Sequence, residues 1–109
     1  MEIDDIGDVI AERTLKRSVD GRDPGDVVVR LGKPQPRPDG SGFFSPFEVV
    51  GLGERRIKFA SGVDAFQSLQ LALRMISVLL HYYRHEPSVE MFFLEPGDDL
   101  GFPEDAPGT

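Results

Sequence analysis

The sequence predicts an α+β domain in which an antiparallel sheet of about four to five strands packs against one long helix in the C-terminal half. Alternating apolar and charged residues between turn residues indicate strands in residues 9–60. A stretch without glycine or proline from Ala65 to Arg84 indicates the helix. The chain has 109 residues, 39% of them hydrophobic, and no cysteine, which allows one core and no disulfide framework.

Four segments of the first part of the chain have the pattern of a β meander. They span residues 9–19, 27–31, 43–50 and 55–60. In the fourth strand, alternation predicts that Ile57 and Phe59 face the core while Arg56 and Lys58 face solvent. Residues 33–42 contain three prolines, which lack the N–H that a ladder needs, so this segment is predicted to be a loop.

The predicted helix begins after Asp64, which with Gln67 has the spacing of a capping box, and it ends before Glu86-Pro87. Its polar residues fall on one stripe: Gln67, Gln70, Arg74, Ser77, His81 and Arg84. The predicted core face comprises Phe66, Leu69, Leu73, Ile76, Leu80 and Tyr83, and a lateral face comprises Leu71, Met75, Val78 and Tyr82. This apolar band is wider than one sheet covers. We therefore expect residues 89–94 to return over it as a fifth strand or as a packed segment, with a second copy of the chain as the alternative cover.

The net charge of −7 is concentrated at the two ends of the chain. Residues 86–109 carry seven acids and no lysine or arginine, and residues 1–8 carry four acids. We divide the chain into an acidic N-terminal segment (1–8), one domain (9–94) and an acidic tail rich in proline and glycine (95–109). The acidic start and the lack of a long apolar run predict no signal peptide, no membrane span and a cytoplasmic location.

The residues at the strand-to-helix junction resemble a known family. The stretches from Phe47 to Gly53 and from Ala60 to Leu73 are similar to small bacterial proteins with a domain of unknown function. In these proteins a β meander leads into a G-V-D-A-x-Q-x-L-Q-L-A helix, and this chain has Ser68 where alanine is frequent. The resemblance covers roughly residues 9–80 and leaves the acidic tail outside. It implies the fold and a bacterial origin, and it carries no activity.

Catalytic and metal-binding signatures are weak. The chain has no Gly-x-x-x-x-Gly-Lys loop for phosphate and no Gly-x-Ser-x-Gly turn for a nucleophile. His81 and His85 share a helix face and are weak candidates for a metal site with Glu86 or Glu90, but zinc normally takes three or four protein ligands. We expect a non-catalytic protein without metal or cofactor.

Two groups of residues are candidates for binding a partner. The basic group is Arg55, Arg56 and Lys58, with Arg30 on the same outer sheet face. The tail group is Asp98, Asp99, Leu100 and Phe102. Phe43, Phe47 and Phe59 are predicted on the core face, where they cannot stack on bases, and the chain is acidic overall, so nucleic-acid binding is not expected.

Three functions remain open at this point. The first is a protein-interaction module, such as an inhibitor or immunity-like protein, whose acidic ends meet a basic partner. The second is a small-molecule binder or enzyme with a pocket between sheet and helix near His81. The third is a structural homodimer that buries the Leu71 and Tyr82 side of the helix.

Overall fold

The computed structural model describes residues 3–23, 25–53, 57–95 and 100–103. Within these ranges the chain forms a six-stranded antiparallel sheet and a helix, which confirms the predicted α+β class. The elements in chain order are β1 (Val9–Val19), β2 (Val27–Gly32), β3 (Gln35–Pro36), β4 (Phe43–Val50), β5 (Ile57–Gly62), α1 (Ala65–Arg84) and β6 (Val89–Phe92).

The strands β1, β2, β4 and β5 form the predicted meander. β1 pairs with β2, β2 with β4, and β4 with β5, all antiparallel. Because β5 pairs with β4 residues 43–48, which overlap the positions paired with β2 and β3, it must lie on the opposite side of β4 from them. β6 pairs with the second half of β1 and provides the predicted fifth strand. Strands β5 and β6 therefore lie at opposite edges of the sheet.

The proline-rich connection between β2 and β4 differs from the prediction. We predicted a loop outside the ladder, but β3 pairs Gln35 with Phe44 and Pro36 with Phe43. The pairing extends over two residues because Gln35, between two prolines, keeps its N–H. The turn that follows is closed by a hydrogen bond from the Arg37 N–H to the Gly42 carbonyl, 2.8 Å long.

The predicted orientation of β5 is wrong by one residue. Lys58 pairs with Phe47 and Ala60 pairs with Ser45, and Phe47 and Ala60 are buried in the core on the helix side. Lys58 therefore shares the helix face of the sheet, while Phe59 lies on the opposite face with its ring edge-on to Phe44. A shift of one residue exchanges the two faces of a strand. The alternation of β5 does not show which of its two faces points towards the helix, because both faces carry apolar side chains.

The helix packs on the sheet through a narrower line of residues than predicted. Its buried residues are Ser68, Ala72, Ile76, Ser77 and Leu80. Ser77, predicted in the polar stripe, is thus buried, and Phe66, predicted in the core, is 78% exposed. The core also includes Leu15, Val27, Val29, Phe47 and Met91 from the strands. The buried line is rich in small residues because the start of the helix lies very close to the sheet.

The close approach occurs where β5 ends and α1 begins. A Cβ atom on Gly62 would lie 2.5 Å from the Ser68 nitrogen, so only glycine fits beneath the first helical turn. The Ser68 hydroxyl is 2.8 Å from the Ser45 hydroxyl of β4 in the buried interface. The capping box is confirmed in part: Asp64 accepts from the Gln67 N–H, but the Gln67 side chain accepts from Val63, one residue before the cap.

The end of the chain that we assigned to a tail contributes to the core. Leu100 is buried with 1% of its surface exposed, and Phe102 packs against the same cluster half-buried. At the other end, Ile6 lies against Gly32 of β2 and the Asp8 carbonyl accepts from the Lys33 N–H. Within the described ranges, no helix has the length and hydropathy required to cross a membrane.

Candidate functional site: an open groove beside the helix

A groove of about 840 Å³ lies between the edge strand β5 and one side of α1. The helix contributes Leu71, Arg74, Met75, Val78, Leu79 and Tyr82. The strand contributes Lys58, Phe59, Ala60 and Ser61, and Phe47 of β4 forms part of the floor. The groove has the size of known ligand-binding sites and is open along its length.

The groove follows from the width of the apolar band on α1. Leu71, Met75, Val78 and Tyr82, the lateral face predicted from the sequence, recur at steps of three or four and so line one side of the helix. The sheet ends at β5, so nothing among the described residues covers this row of side chains. Val78 is 62% exposed and Tyr82 is 73% exposed. We call this row, with Lys58 and Ala60 of β5, the open flank of the helix.

The charged residues in the described lining of the groove are two cations. Lys58 extends from β5 on the helix side, and Arg74 lines the groove from α1. Lys58 is half-buried, so part of its ammonium-bearing chain lies against apolar side chains. The described lining contains no aspartate or glutamate. An apolar groove with positive charge at its wall suits a ligand that is both apolar and acidic.

The opposite side of the helix is covered by the chain itself. Leu100 is inserted into the core cluster that includes Ile76 and Leu80 of α1, and Phe102 packs against the same cluster. The Arg13 guanidinium of β1 donates hydrogen bonds to the carbonyls of Leu100 (3.2 Å) and Gly101 (2.9 Å). The same guanidinium lies 4.2 Å from the ring centre of Phe93 and 4.9 Å from that of Phe102. We call residues 100–103 with Arg13 and Phe93 the covered flank.

The predicted basic patch is divided between the two faces of the sheet. Arg55 and Arg56 lie outside the described residues, and Lys58 lies in the groove. Arg30 is on the other face, where it donates to Glu12 (2.8 Å) and to the buried Glu48 (3.2 Å). The hydrogen bonds to these two carboxylates raise the pKa of Arg30. Arg30 and Lys58 therefore do not form one surface, because the β5 orientation assumed from sequence was wrong.

The predicted tail group is also divided. Asp98 and Asp99 lie outside the described residues, whereas Leu100 is in the core and Phe102 is stacked beneath Arg13. A partner cannot reach Leu100 while this segment is docked. Leu100 and Phe102 are the apolar residues of the predicted tail that could anchor it, but their contact with Arg13 could not be predicted, because Arg13 is far away in the chain and has the pattern of an exposed strand residue.

The histidines do not line the groove. His81 donates through Nδ1 to the Ser77 carbonyl one turn earlier, at 2.7 Å, and His85 ends the helix with its N–H bonded to the His81 carbonyl. Among the described residues, no three His, Asp or Glu side chains are grouped as a metal site requires. The pocket predicted near His81 therefore does not include His81 itself, although the neighbouring Tyr82 lines the groove. Arg74 was missed as a groove residue, although it directly precedes Met75 of the lateral face.

Comparisons with known proteins place the chain in a family through its sequence. The model of DUF6968, a domain of unknown function, matches residues 11–104. The match extends past residue 94 and so covers most of the predicted tail, whereas the resemblance noted in the sequence was limited to residues 9–80. No curated protein and no solved structure matches the chain. Since the matched region covers most of the sequence and includes the helix and every strand except the first two residues of β1, the chain belongs to the DUF6968 family.

Proposed function

We propose that this protein is a non-catalytic protein-interaction module that binds a segment of a partner protein in the groove between β5 and α1. The observation that carries this proposal is the open flank, where a row of exposed apolar helix residues lies beside an edge strand. Contiguous exposed apolar surface next to polar residues is typical of interaction sites. An edge strand adds unpaired backbone groups that can bind another chain.

The biological setting belongs to the same proposal. The resemblance of the helix-entry motif supports a bacterial source, and a cytoplasmic location is part of the same proposal. An inhibitor or immunity-like role is compatible with an interaction surface on a small domain without catalytic signatures. In this role the groove, rather than a reacting side chain, is the functional part of the molecule.

The test compares capture of partners by the wild-type protein and by two variants. Val78→Gln places a polar side chain in the groove at a position that is already exposed, and Ile10→Gln makes the same kind of change at an exposed residue of β1. We expect a partner captured from host lysate by the wild type and by Ile10→Gln, and lost with Val78→Gln. Equal capture by all three proteins would contradict the groove as the binding site.

The acidic ends support a second, separable interaction surface. Residues 86–109 carry seven acids and no lysine or arginine, which favours a basic partner. Truncation at Leu94 would remove the buried Leu100 and confuse binding with folding. A chain ending at Pro103, and the variant with Asp98→Asn and Asp99→Asn, keep Leu100 and Phe102 in place. Loss of a basic partner with both variants supports this surface, and unchanged capture contradicts it.

A second candidate function is small-molecule binding in the same groove. Its volume of about 840 Å³ and its apolar lining with two cations suit an amphipathic carboxylate. Dodecanoate is a suitable probe. A rise in Tm with the wild type that is absent with Val78→Gln would support this function, whereas no shift up to the solubility limit of the probe would contradict it.

A second copy of the chain is the remaining occupant of the groove. Sedimentation of the wild type and of Val78→Gln over a range of concentrations decides this alternative. A wild-type dimer that becomes a monomer in the variant would show that the groove is a homodimer seam. A monomer in both leaves the groove open for a different partner.

A further inference from the structure

Building on the proposed function, we infer that the partner segment is extended and acidic, that it adds to β5 as a further strand, and that it places a carboxylate on Lys58. The inference concerns the chemistry of the occupant, whereas the proposed function concerns the location of the groove. The two can therefore fail separately.

The extended conformation follows from the position of β5. Among the described residues, β4 is its sole partner strand, so the other edge of β5 faces the groove mouth. The backbone N–H and C=O groups of a strand added there would form hydrogen bonds with β5, and its alternate side chains would point towards α1. Met75, Val78 and Tyr82 would receive those side chains, because they stand beside β5 on the same side of the sheet.

The acidic character follows from Lys58. Its side chain lies on the helix face with Phe47 and Ala60, half-buried in a groove whose described lining includes Arg74 and no acid. Within the described ranges no ion pair involves Lys58. Closing the groove over an ammonium group would be unfavourable without an opposite charge. A carboxylate at the facing position of the added strand supplies that charge.

The same charges disfavour a second copy as the occupant. Two-fold pairing of β5 with its own copy would bring the Lys58 and Arg74 side chains of both chains to one seam. Like charges facing each other across an interface oppose association. A different role for Lys58 is to protect the sheet edge, since an inward-pointing lysine on an edge strand prevents unwanted pairing. The experiment below distinguishes these two roles.

The first part of the experiment selects binders from a displayed library of random linear peptides on the immobilised full chain. We expect enriched peptides to alternate apolar residues with aspartate or glutamate. Two synthetic versions of each peptide carry N-methyl groups on alternate backbone nitrogens, one version on the odd positions and the other on the even positions. One of the two should lose binding, because methylation removes the N–H groups that bond to β5. Enrichment without an excess of acids, or binding unaffected by methylation in both versions, would overturn the inference.

The second part tests Lys58 with matched variants. Lys58→Glu should weaken the selected peptides by about tenfold or more, whereas Lys58→Arg should retain most of the affinity. Lys33→Glu, at an exposed lysine outside the groove, makes the same change in net charge and should have little effect. Circular dichroism of each variant checks that it is folded. Equal weakening by Lys58→Glu and Lys33→Glu would show a non-specific charge effect and overturn the inference.

Two further outcomes separate the inference from the proposed function. Peptides that are lost with Val78→Gln but unaffected by Lys58→Glu would overturn the acidic partner and leave the groove as the binding site. Peptides unaffected by Val78→Gln would contradict both. If Lys58→Met self-associates while its affinity for the selected peptides is unchanged, then Lys58 protects the edge and the inference is wrong. A selection that enriches no peptide also overturns the inference.

Discussion

The two flanks of α1 present similar apolar surface and meet different neighbours. On the covered flank, residues 100–103 insert Leu100 into the core and are held by Arg13. On the open flank, Met75, Val78 and Tyr82 project beyond the sheet edge, and no described residue lies over them. The comparison shows that the apolar surface of the helix is wider than one sheet can cover. Residues 100–103 of the chain itself cover one of the two remaining sides.

The covered flank shows which interactions hold a short segment against the apolar surface of α1. A short extended segment provides one buried aliphatic side chain, and its backbone carbonyls accept from an arginine on the neighbouring strand. On the open flank, Lys58 of the edge strand lines the groove together with Arg74 of the helix. An external segment with an apolar anchor and acceptor groups would complete the second flank in a similar way.

The largest expected effect is on the covered flank. Leu100→Ala removes a side chain that is almost fully buried, so we expect a loss of about 2–5 kcal/mol in the free energy of unfolding. Leu94→Ala, at a leucine that is exposed, is the matched control and should change stability little. Urea denaturation measures both. Equal stability of the two variants would show that residues 100–103 do not contribute to the core in solution.

A smaller effect is expected where the helix meets β4, between the two flanks. Ser68→Ala leaves the buried Ser45 hydroxyl without its partner, at a cost of about 1–3 kcal/mol. In the double variant Ser45→Ala and Ser68→Ala no buried hydroxyl is left unpaired, so part of this stability should return. Equilibrium unfolding of the single and double variants gives the coupling between the residues. Purely additive losses would contradict a buried serine pair.

Next in size is the clamp made by Arg13 on the covered flank. Gly101 has φ +80° and its Cβ position is 2.6 Å from Arg13 Nη1, so alanine there is both strained and displaces the guanidinium. Gly40 has φ +76° with open space around it, so Gly40→Ala carries the backbone strain alone. We expect Gly101→Ala to be less stable than Gly40→Ala by about 1 kcal/mol, the value of a lost hydrogen bond. Identical Tm shifts would contradict the clamp.

The smallest effect on stability is expected on the open flank. Val78→Gln changes a side chain that is mostly exposed, so it should alter the free energy of unfolding by less than about 0.5 kcal/mol. Thermal unfolding measures this directly. A much larger loss would show that the groove residues support the fold, and the difference between the two flanks would then disappear.

Several elements could be predicted because their signals are local. The alternation of β1, β2 and β4, the capping residue Asp64 and the unbroken helix up to Arg84 each depend on residues close in the chain. A return of residues 89–94 was predicted from the excess apolar surface of α1, and residues 89–92 do form the edge strand β6, but this strand does not cover the lateral face, where Val78 and Tyr82 remain exposed. The lateral face of α1 was predicted as well, and it is this face that lines the groove.

Other features depend on contacts between distant residues. The register of β5 could not be read from its sequence, since both of its faces are partly apolar and a shift of one residue exchanges them. That shift decided whether Lys58 lies outside the sheet or in the groove. Phe66 is exposed because the first turn of the helix faces the sheet through Ser68, which packs against Gly62 and Ser45.

The sequence by itself determined the fold class, the strands of the meander, the extent of the helix and the presence of more apolar helix surface than one sheet can cover. The tertiary structure alone decided which side of the helix residues 100–103 cover and which side remains open. The physical reason is the separation along the chain between the residues that interact. Periodicity and capping act between near neighbours, whereas the docking of Leu100 beneath Arg13 and the placement of Lys58 beside Val78 depend on how distant segments pack.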